Sequence, residues 1–269
     1  MKTFIVDSFT NEIFRGNPAG VCITESELSD ELMLNIAREL NLSETAFIQR
    51  ADGNSSFTIR FFSPKMEIPL CGHATLASAR VAAKQFGFSE VQFVTGQGVK
   101  LEATSTADSI SMKFPVYETF PAIVTRDMLS ALGIDAIVDC GYNEELKILL
   151  IEIESKQALR NLTPDFEALC KTHDSINGVL ITARSTDDGY DFHSRYFWPW
   201  SGTNEDPVTG GTHTFLTKYW AKKLGRSHLR SFQSSKRTGF MELELHEEYL
   251  VIRSQAVVVL EGQLSLDGR

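Results

Sequence analysis

MEIPLCGHATLASARVAAKQFG (residues 66–87) and NEDPVTGGTHTFLTKYWAKKLG (residues 204–225) decide how this chain is organised. They align without a gap at an offset of 138 positions. Glu67 answers Glu205, Pro69 answers Pro207, Gly72 answers Gly210, Ala83-Lys84 answers Ala221-Lys222, and Gly87 answers Gly225. Upstream, Arg60-Phe61-Phe62-Ser63-Pro64 answers Arg195-Tyr196-Phe197-Trp198-Pro199 at an offset of 135, which places a three-residue insertion near Ser201-Gly202-Thr203. Two matches in the same order imply an internal duplication.

The flanks of each copy agree with one another. Asp30 to Leu40 reads as a helix, with apolar residues at Leu32, Met33, Ile36, Ala37 and Leu40. A strand at Ala46-Phe47-Ile48 and another at Phe57 to Phe62 lead into the first copy. Ahead of the second copy, Pro164 to Lys171 takes the helix role, and Gly178 to Thr182 and Tyr190 to Phe197 the strand roles. Mixed elements of this kind predict α/β or α+β layers. The seam is expected between Pro115 and Pro121, giving domains at 1–116 and 117–269. The strands at Met241 to Leu245 and Tyr249 to Leu260 either complete the second domain or cross over to the first.

Each repeated segment is a loop entering a helix. Ala74, Leu76, Ala77, Ala79, Val81, Ala82 and Ala83 occupy all sides of the first helix, which predicts burial all round. Gly87 and Gly225 supply C-terminal stops. A helix opening at Gly72-His73-Ala74, or at Gly210-Gly211-Thr212, offers unpaired N–H groups and the positive end of its dipole. Such ends bind carboxylate or phosphate. They also serve simply as tight strand-to-helix turns, and the sequence allows both readings.

Of the 269 residues, 35 are acidic and 26 basic, for a net charge of −9; this excludes a general electrostatic footprint for nucleic acid or anionic membranes. No apolar run approaches the roughly 18 residues of a membrane span. Met1 to Asp7 enters a strand pattern directly, without signal-peptide features, so a cytoplasmic location is expected. Cys22, Cys71, Cys140 and Cys170 lie far apart and form no CxxC pair, and the 6 His form no HExxH array; neither a disulfide framework nor a metal site is expected.

Four motifs occur in order: Gly16-Asn17-Pro18-Ala19-Gly20-Val21, Leu42-Ser43-Glu44-Thr45-Ala46-Phe47, Leu70-Cys71-Gly72-His73-Ala74-Thr75 and Glu205-Asp206-Pro207-Val208-Thr209-Gly210. Together they make the chain, from Phe4 to at least Trp220, resemble the PhzF-like isomerases of phenazine biosynthesis. The resemblance implies a diaminopimelate-epimerase-like fold: two pseudo-symmetric α/β domains, each a barrel-like mixed sheet around a central helix, with the active site in the cleft between. It also implies a homodimer that uses no cofactor.

The family's acid/base glutamate falls on Glu44, and its assisting histidine and aspartate on His73 and Asp206. A carboxyl between a polar turn and an apolar strand is expected to be desolvated, which would raise its pKa towards proton shuttling near neutrality. Gly72, Ala74, Gly210, Gly211 and Thr212 are the expected substrate-binding positions. Many family members carry a serine where Gly211 stands, so a hydroxyl is missing here. Epimerases of this fold use two thiols, but the repeat partner of Cys71 is Thr209, a far weaker acid without an activating neighbour. Cys71 is expected to be a buried small hydrophobe. The resulting expectation is an isomerase of a small carboxylate-bearing metabolite, with Glu44 moving the proton. The alternatives are an epimerase or racemase, and a catalytically lapsed anion-binding protein. Tyr196, Phe197, Trp198 and Trp200 read as core or cleft wall.

Overall fold

The computed structural model describes residues 1–51 and 55–266. Internal contacts divide the chain into two units, Met1–Lys113 with Ile252–Arg269, and Phe114–Val251.

In chain order the first unit contains β1 (Lys2–Ser8), β2 (Asn17–Thr24), α1 (Asp30–Leu40), β3 (Glu44–Arg50), β4 (Ser56–Phe62), β5 (Glu67–Ile68), α2 (Gly72–Phe86), β6 (Glu90–Thr95), β7 (Lys100–Ser105) and β8 (Ile110–Pro115). The second contains β9 (Phe120–Pro121), α3 (Arg126–Leu132), β10 (Asp139–Asn143), β11 (Ile148–Glu152), α4 (Lys156–Asn161), α5 (Phe166–Cys170), β12 (Gly178–Arg184), β13 (Phe192–Trp198), β14 (Thr203–Asp206), α6 (His213–Leu224), β15 (His228–Gln233), β16 (Gly239–Leu245) and β17 (Tyr249–Ser254). The chain passes into the second unit within β8 and leaves it within β17. β18 (Ala256–Gln263) then pairs antiparallel with β1 of the first unit. The apolar stretch from Tyr249 to Leu260 is therefore two strands divided at Gln255, not one.

The duplication is written in the strand pairing. In the first unit β1·β2 is antiparallel, β2·β3 parallel, β3·β4 antiparallel, β4·β6 parallel and β6·β7 antiparallel. In the second, β10·β11, β11·β12, β12·β13, β13·β15 and β15·β16 repeat that series in the same order. The short strands β5 and β14 hang on β4 and β13, and each delivers the chain into a repeat helix. The three extra residues sit between β13 and β14, where a 3₁₀ turn at Pro199–Ser201 closes on Gly202 at φ 91°.

A second duplicated device locks each short strand. Arg60 donates from Nε and a terminal nitrogen to Glu67 at 2.8 and 2.7 Å, and Arg195 does the same to Glu205 at 2.7 and 2.8 Å. Such two-point pairs fix geometry as well as charge.

α2 contacts β1, β2, β3, β6, β7 and β18, so the sheet curls round it. Its alanines allow that close approach, and its hydroxyls turn inward: Thr75 donates to the Cys71 carbonyl and Ser78 to that of Ala74, each at 2.7 Å. α6 fills its unit with bulk instead. Trp220 stacks on Phe192 at 5.5 Å and donates from Nε1 to Thr182 Oγ1 at 2.9 Å. A separate core lies under α3–α5, where Phe197 is buried and Trp200 packs against it. The helix expected over 164–171 forms as α5, preceded by the short α4.

The Gly16–Val21 motif is explained by the backbone. Gly16 has φ +65°, and a Cβ there would stand 2.1 Å from the Ser8 carbonyl oxygen. A Cβ at Gly20 would meet Thr45 Oγ1 at 2.8 Å. No described helix is long and apolar enough to cross a membrane.

Candidate active site

β3 and the start of α2 bring three chemistry-bearing side chains together. β2 and β3 are parallel neighbours, with Ala19 opposite Glu44, which fixes the Glu44 carboxyl at the start of β3. Glu44 Oε2 lies 3.1 Å from His73 Nε2, and the two side chains are 13% and 10% exposed. Ser43 Oγ stands 3.4 Å from the same nitrogen. Cys71 Sγ reaches both ring nitrogens, at 3.4 Å from His73 Nδ1 and 3.9 Å from Nε2. The Ser8 hydroxyl donates to the His73 carbonyl at 2.8 Å and ties the helix start to β1.

Electrostatics in this cluster differ from the sequence expectation. Burial opposes ionisation of Glu44, but hydrogen bonding and charge from His73, with the Ser43 hydroxyl, outweigh it and hold the carboxyl below its usual range. The expected rise is thus reversed, because His73 is a partner that burial alone does not reveal. For His73, burial works against charge, yet the adjacent Cys71 sulfur and the Glu44 carboxylate prevail and raise the imidazole well above its ordinary value. Burial pushes the Cys71 thiol up. Cys71 is buried as expected, but it is an imidazole contact and not merely a small hydrophobe.

The second unit gathers Asp206, Thr209 and the loop before α6. Asp206 is buried and opposes Tyr196 across β13·β14. Thr209 donates its hydroxyl to Asp206 Oδ2. Gln233 clamps the turn, donating from Nε2 to the Asp206 carbonyl at 2.8 Å and accepting from the Thr209 amide at 2.9 Å. The helix begins at His213 and not at Gly210; Gly210-Gly211-Thr212 forms a turn in which His213 N–H donates to the Gly210 carbonyl at 3.0 Å. Gly211 is open: a Cβ there would meet nothing within 4 Å.

Helix capping separates the repeat helices from the rest. Ser29, Thr125, Ser155 and Asp165 each cap α1, α3, α4 and α5 with a side-chain acceptor. α2 and α6 have no side-chain cap, and neither has an acidic residue in its first turn. Gly72 and Ala74 lie in the first turn of α2, while Gly210, Gly211 and Thr212 lead into α6. At α6 the His213 and Thr214 amides are already spent on the Gly210 and Gly211 carbonyls, whereas the first turn of α2 has no side-chain acceptor.

Sequence reading missed Ser43, Ser8, Thr209 and Gln233. The first and third sit inside the quoted motifs and were open to recognition; Gln233 carries no local signal. For a metal, the described residues offer one group of three His, Cys, Asp or Glu donors lying within 4.8 Å of one another: Glu44, Cys71 and His73.

The sequence profile of the family described as "Phenazine biosynthesis-like protein" matches residues 6–262. Among curated relatives, "Phenazine biosynthesis-like domain-containing protein 1" of Mus musculus is 41% identical, over 98% of this chain and 99% of its own. An "Uncharacterized isomerase" of Halalkalibacterium halodurans is 38% identical, over 98% of both chains. The crystal structure of a "phenazine biosynthesis protein PhzF family" member from Enterococcus faecalis superposes with a TM-score of 0.91 at 36% identity, covering 98% of this chain and 99% of that one. A probable proline racemase from Agrobacterium radiobacter K84, with TM-score 0.61 at 13% identity over 99% of this chain and 93% of that one, shares the fold alone. That fold is the diaminopimelate-epimerase-like one, and the family match with the isomerase relatives supports an isomerase role.

Proposed function

Because the chain belongs to the PhzF-type phenazine biosynthesis-like family, we propose that it is an isomerase that needs no cofactor and acts on a small carboxylate-bearing metabolite. Glu44 takes a proton from a carbon near the substrate carboxylate and returns it to another carbon, so that a double bond migrates and nothing is gained or lost overall. His73 orients the Glu44 carboxyl and balances its charge through the 3.1 Å contact, the observation that carries this reading. Uncapped amides at the start of α2 hold the substrate carboxylate. Asp206 enters as an assisting acid/base group through its motif and its buried, hydroxyl-bonded carboxyl.

A two-thiol epimerase is disfavoured, since Thr209 replaces the second thiol and spends its hydroxyl on Asp206. A homodimer and a cytoplasmic location belong to the same proposal; sedimentation should report twice the chain mass.

Glu44→Gln tests the mechanism, keeping size and most hydrogen bonding but not proton transfer. Exchange of a substrate C–H with solvent deuterium should fall by roughly 10²-fold or more, with much smaller change in ligand affinity. Undiminished exchange in Glu44→Gln would remove Glu44 from the reaction, and binding without exchange in the wild type would make the protein a binder.

A further inference from the structure

The proton-transfer chemistry proposed above leaves Cys71 unused, yet its sulfur faces the same imidazole as Glu44. Measured from His73 Nε2, Glu44 Oε2 is at 3.1 Å and Cys71 Sγ at 3.9 Å. A tetrahedral zinc with bonds of about 2.0–2.3 Å sets neighbouring donors roughly 3.3–3.6 Å apart. Cys71 Sγ also lies 3.4 Å from Nδ1, and the three donor atoms all fall within 4.8 Å of one another, so reorientation of the imidazole and the thiol about their own side-chain bonds brings thiolate, imidazole and carboxylate onto one ion. All three side chains are nearly buried, and a thiol with an imidazole selects borderline or soft cations over magnesium or calcium. The duplicate site cannot do this: its counterparts to Cys71 and His73 are Thr209 and Gly211.

We infer that Glu44, Cys71 and His73 form a three-ligand site for a thiophilic divalent cation of the zinc class, with the fourth position open, and that such an ion inhibits the enzyme. Capture rests on the donor geometry. Inhibition rests on the isomerase reading, because the ion would occupy Glu44 and His73 together.

The test is zinc chloride titrated into the full-length protein without substrate, followed by calorimetry and by the thermal shift that a ligand of the native state produces. Cobalt(II) replaces zinc in a parallel optical titration that reports sulfur-to-metal charge transfer. The expected result is one ion per chain, a raised melting temperature, and a charge-transfer band. In Cys71→Ser the band should vanish and the zinc affinity fall by at least about tenfold, one ligand having been removed. His73→Asn should weaken zinc similarly, which keeps the inference testable if one variant misfolds. Equal zinc affinity in wild type, Cys71→Ser and His73→Asn would overturn the site, as would no saturable uptake at roughly millimolar zinc. These readouts need no turnover. Failed zinc uptake leaves the isomerase reading standing, and failed deuterium exchange leaves the metal site standing.

Discussion

Residues 71–75 and 209–213 occupy equivalent stretches ahead of two equivalent helices, and they spend that backbone differently. In the first unit Thr75 donates to the Cys71 carbonyl at 2.7 Å; in the second His213 Nδ1 donates to the Thr209 carbonyl at 3.0 Å. The frame is retained. The chemistry is redistributed: His73 stands where the other copy has Gly211, Cys71 where it has Thr209, and Ile68 where it has Asp206. One unit places its charge on the helix, the other on the strand before it. Duplication therefore fixed the scaffold, including the Arg–Glu locks, and left the reactive positions free to diverge.

The locks give the largest test of that comparison. Arg195 is buried and, besides Glu205, donates to carbonyls of the α4 region and lies over the Phe197 ring at 4.8 Å. Glu205→Ala leaves a buried guanidinium without its carboxylate and should cost about 3–5 kcal/mol in denaturant unfolding. Arg60 is more exposed and keeps Asp30 at 2.8 Å, so Glu67→Ala should cost about 1 kcal/mol or less. Equal losses would mean that the two locks are energetically the same.

Acid should separate the copies next. Burial depresses His213 to about 4, and its Nε2 has no partner among the described residues. The unfolded chain takes up that proton first, so stability falls as pH drops below about 6.5 and stops falling on this account near 4. The full loss is about 3 kcal/mol. His213→Thr, which copies Thr75, should flatten the slope of stability across that window, even if repacking lowers stability at neutral pH. An unchanged slope would locate the acid sensitivity elsewhere.

Smaller effects follow at the first position of each turn. Thr209→Val removes a hydroxyl donor from the Asp206 carboxylate, worth about 1.5–3 kcal/mol. Cys71→Ala removes only a weak sulfur contact and should cost less than about 1 kcal/mol, with turnover reduced by less than about tenfold. The reverse order in unfolding and exchange assays would restore the thiol to the centre of the mechanism. Smallest of all is Gly211→Ser. The added side chain enters open space, so stability should move by no more than about 0.5 kcal/mol while substrate KM reports whether the hydroxyl finds a partner.

Much of this was legible in the sequence because a repeat carries its own control. Gly87 and Gly225, at φ 75° and 67°, close the two helices where the aligned copies place them. The matching helix and strand roles followed from one half being read against the other, while the strand pairing did not. What stayed hidden depends on neighbours distant along the chain. The depressed Glu44 carboxyl needs His73, 29 positions away, and Gln233 reaches Asp206 across 27. The start of α6 was misplaced because Gly210-Gly211-Thr212 makes a tight turn from residues that equally suit a helix opening. The break at Gln255 is a matter of partners, since β18 leaves to pair with β1 and nothing in its apolar pattern announces that choice.

That last pairing has a consequence for the order of assembly. β1 lies between β2 and β18, and the Met1 carbonyl accepts from the Leu264 amide at 2.9 Å. During synthesis the second unit, continuous from Phe114 to Val251, has its whole sequence available before residues 256–263 exist. The unit made first is thus the last one finished. Until its closing strand emerges, β1 carries a bare edge of the kind that invites wrong partners.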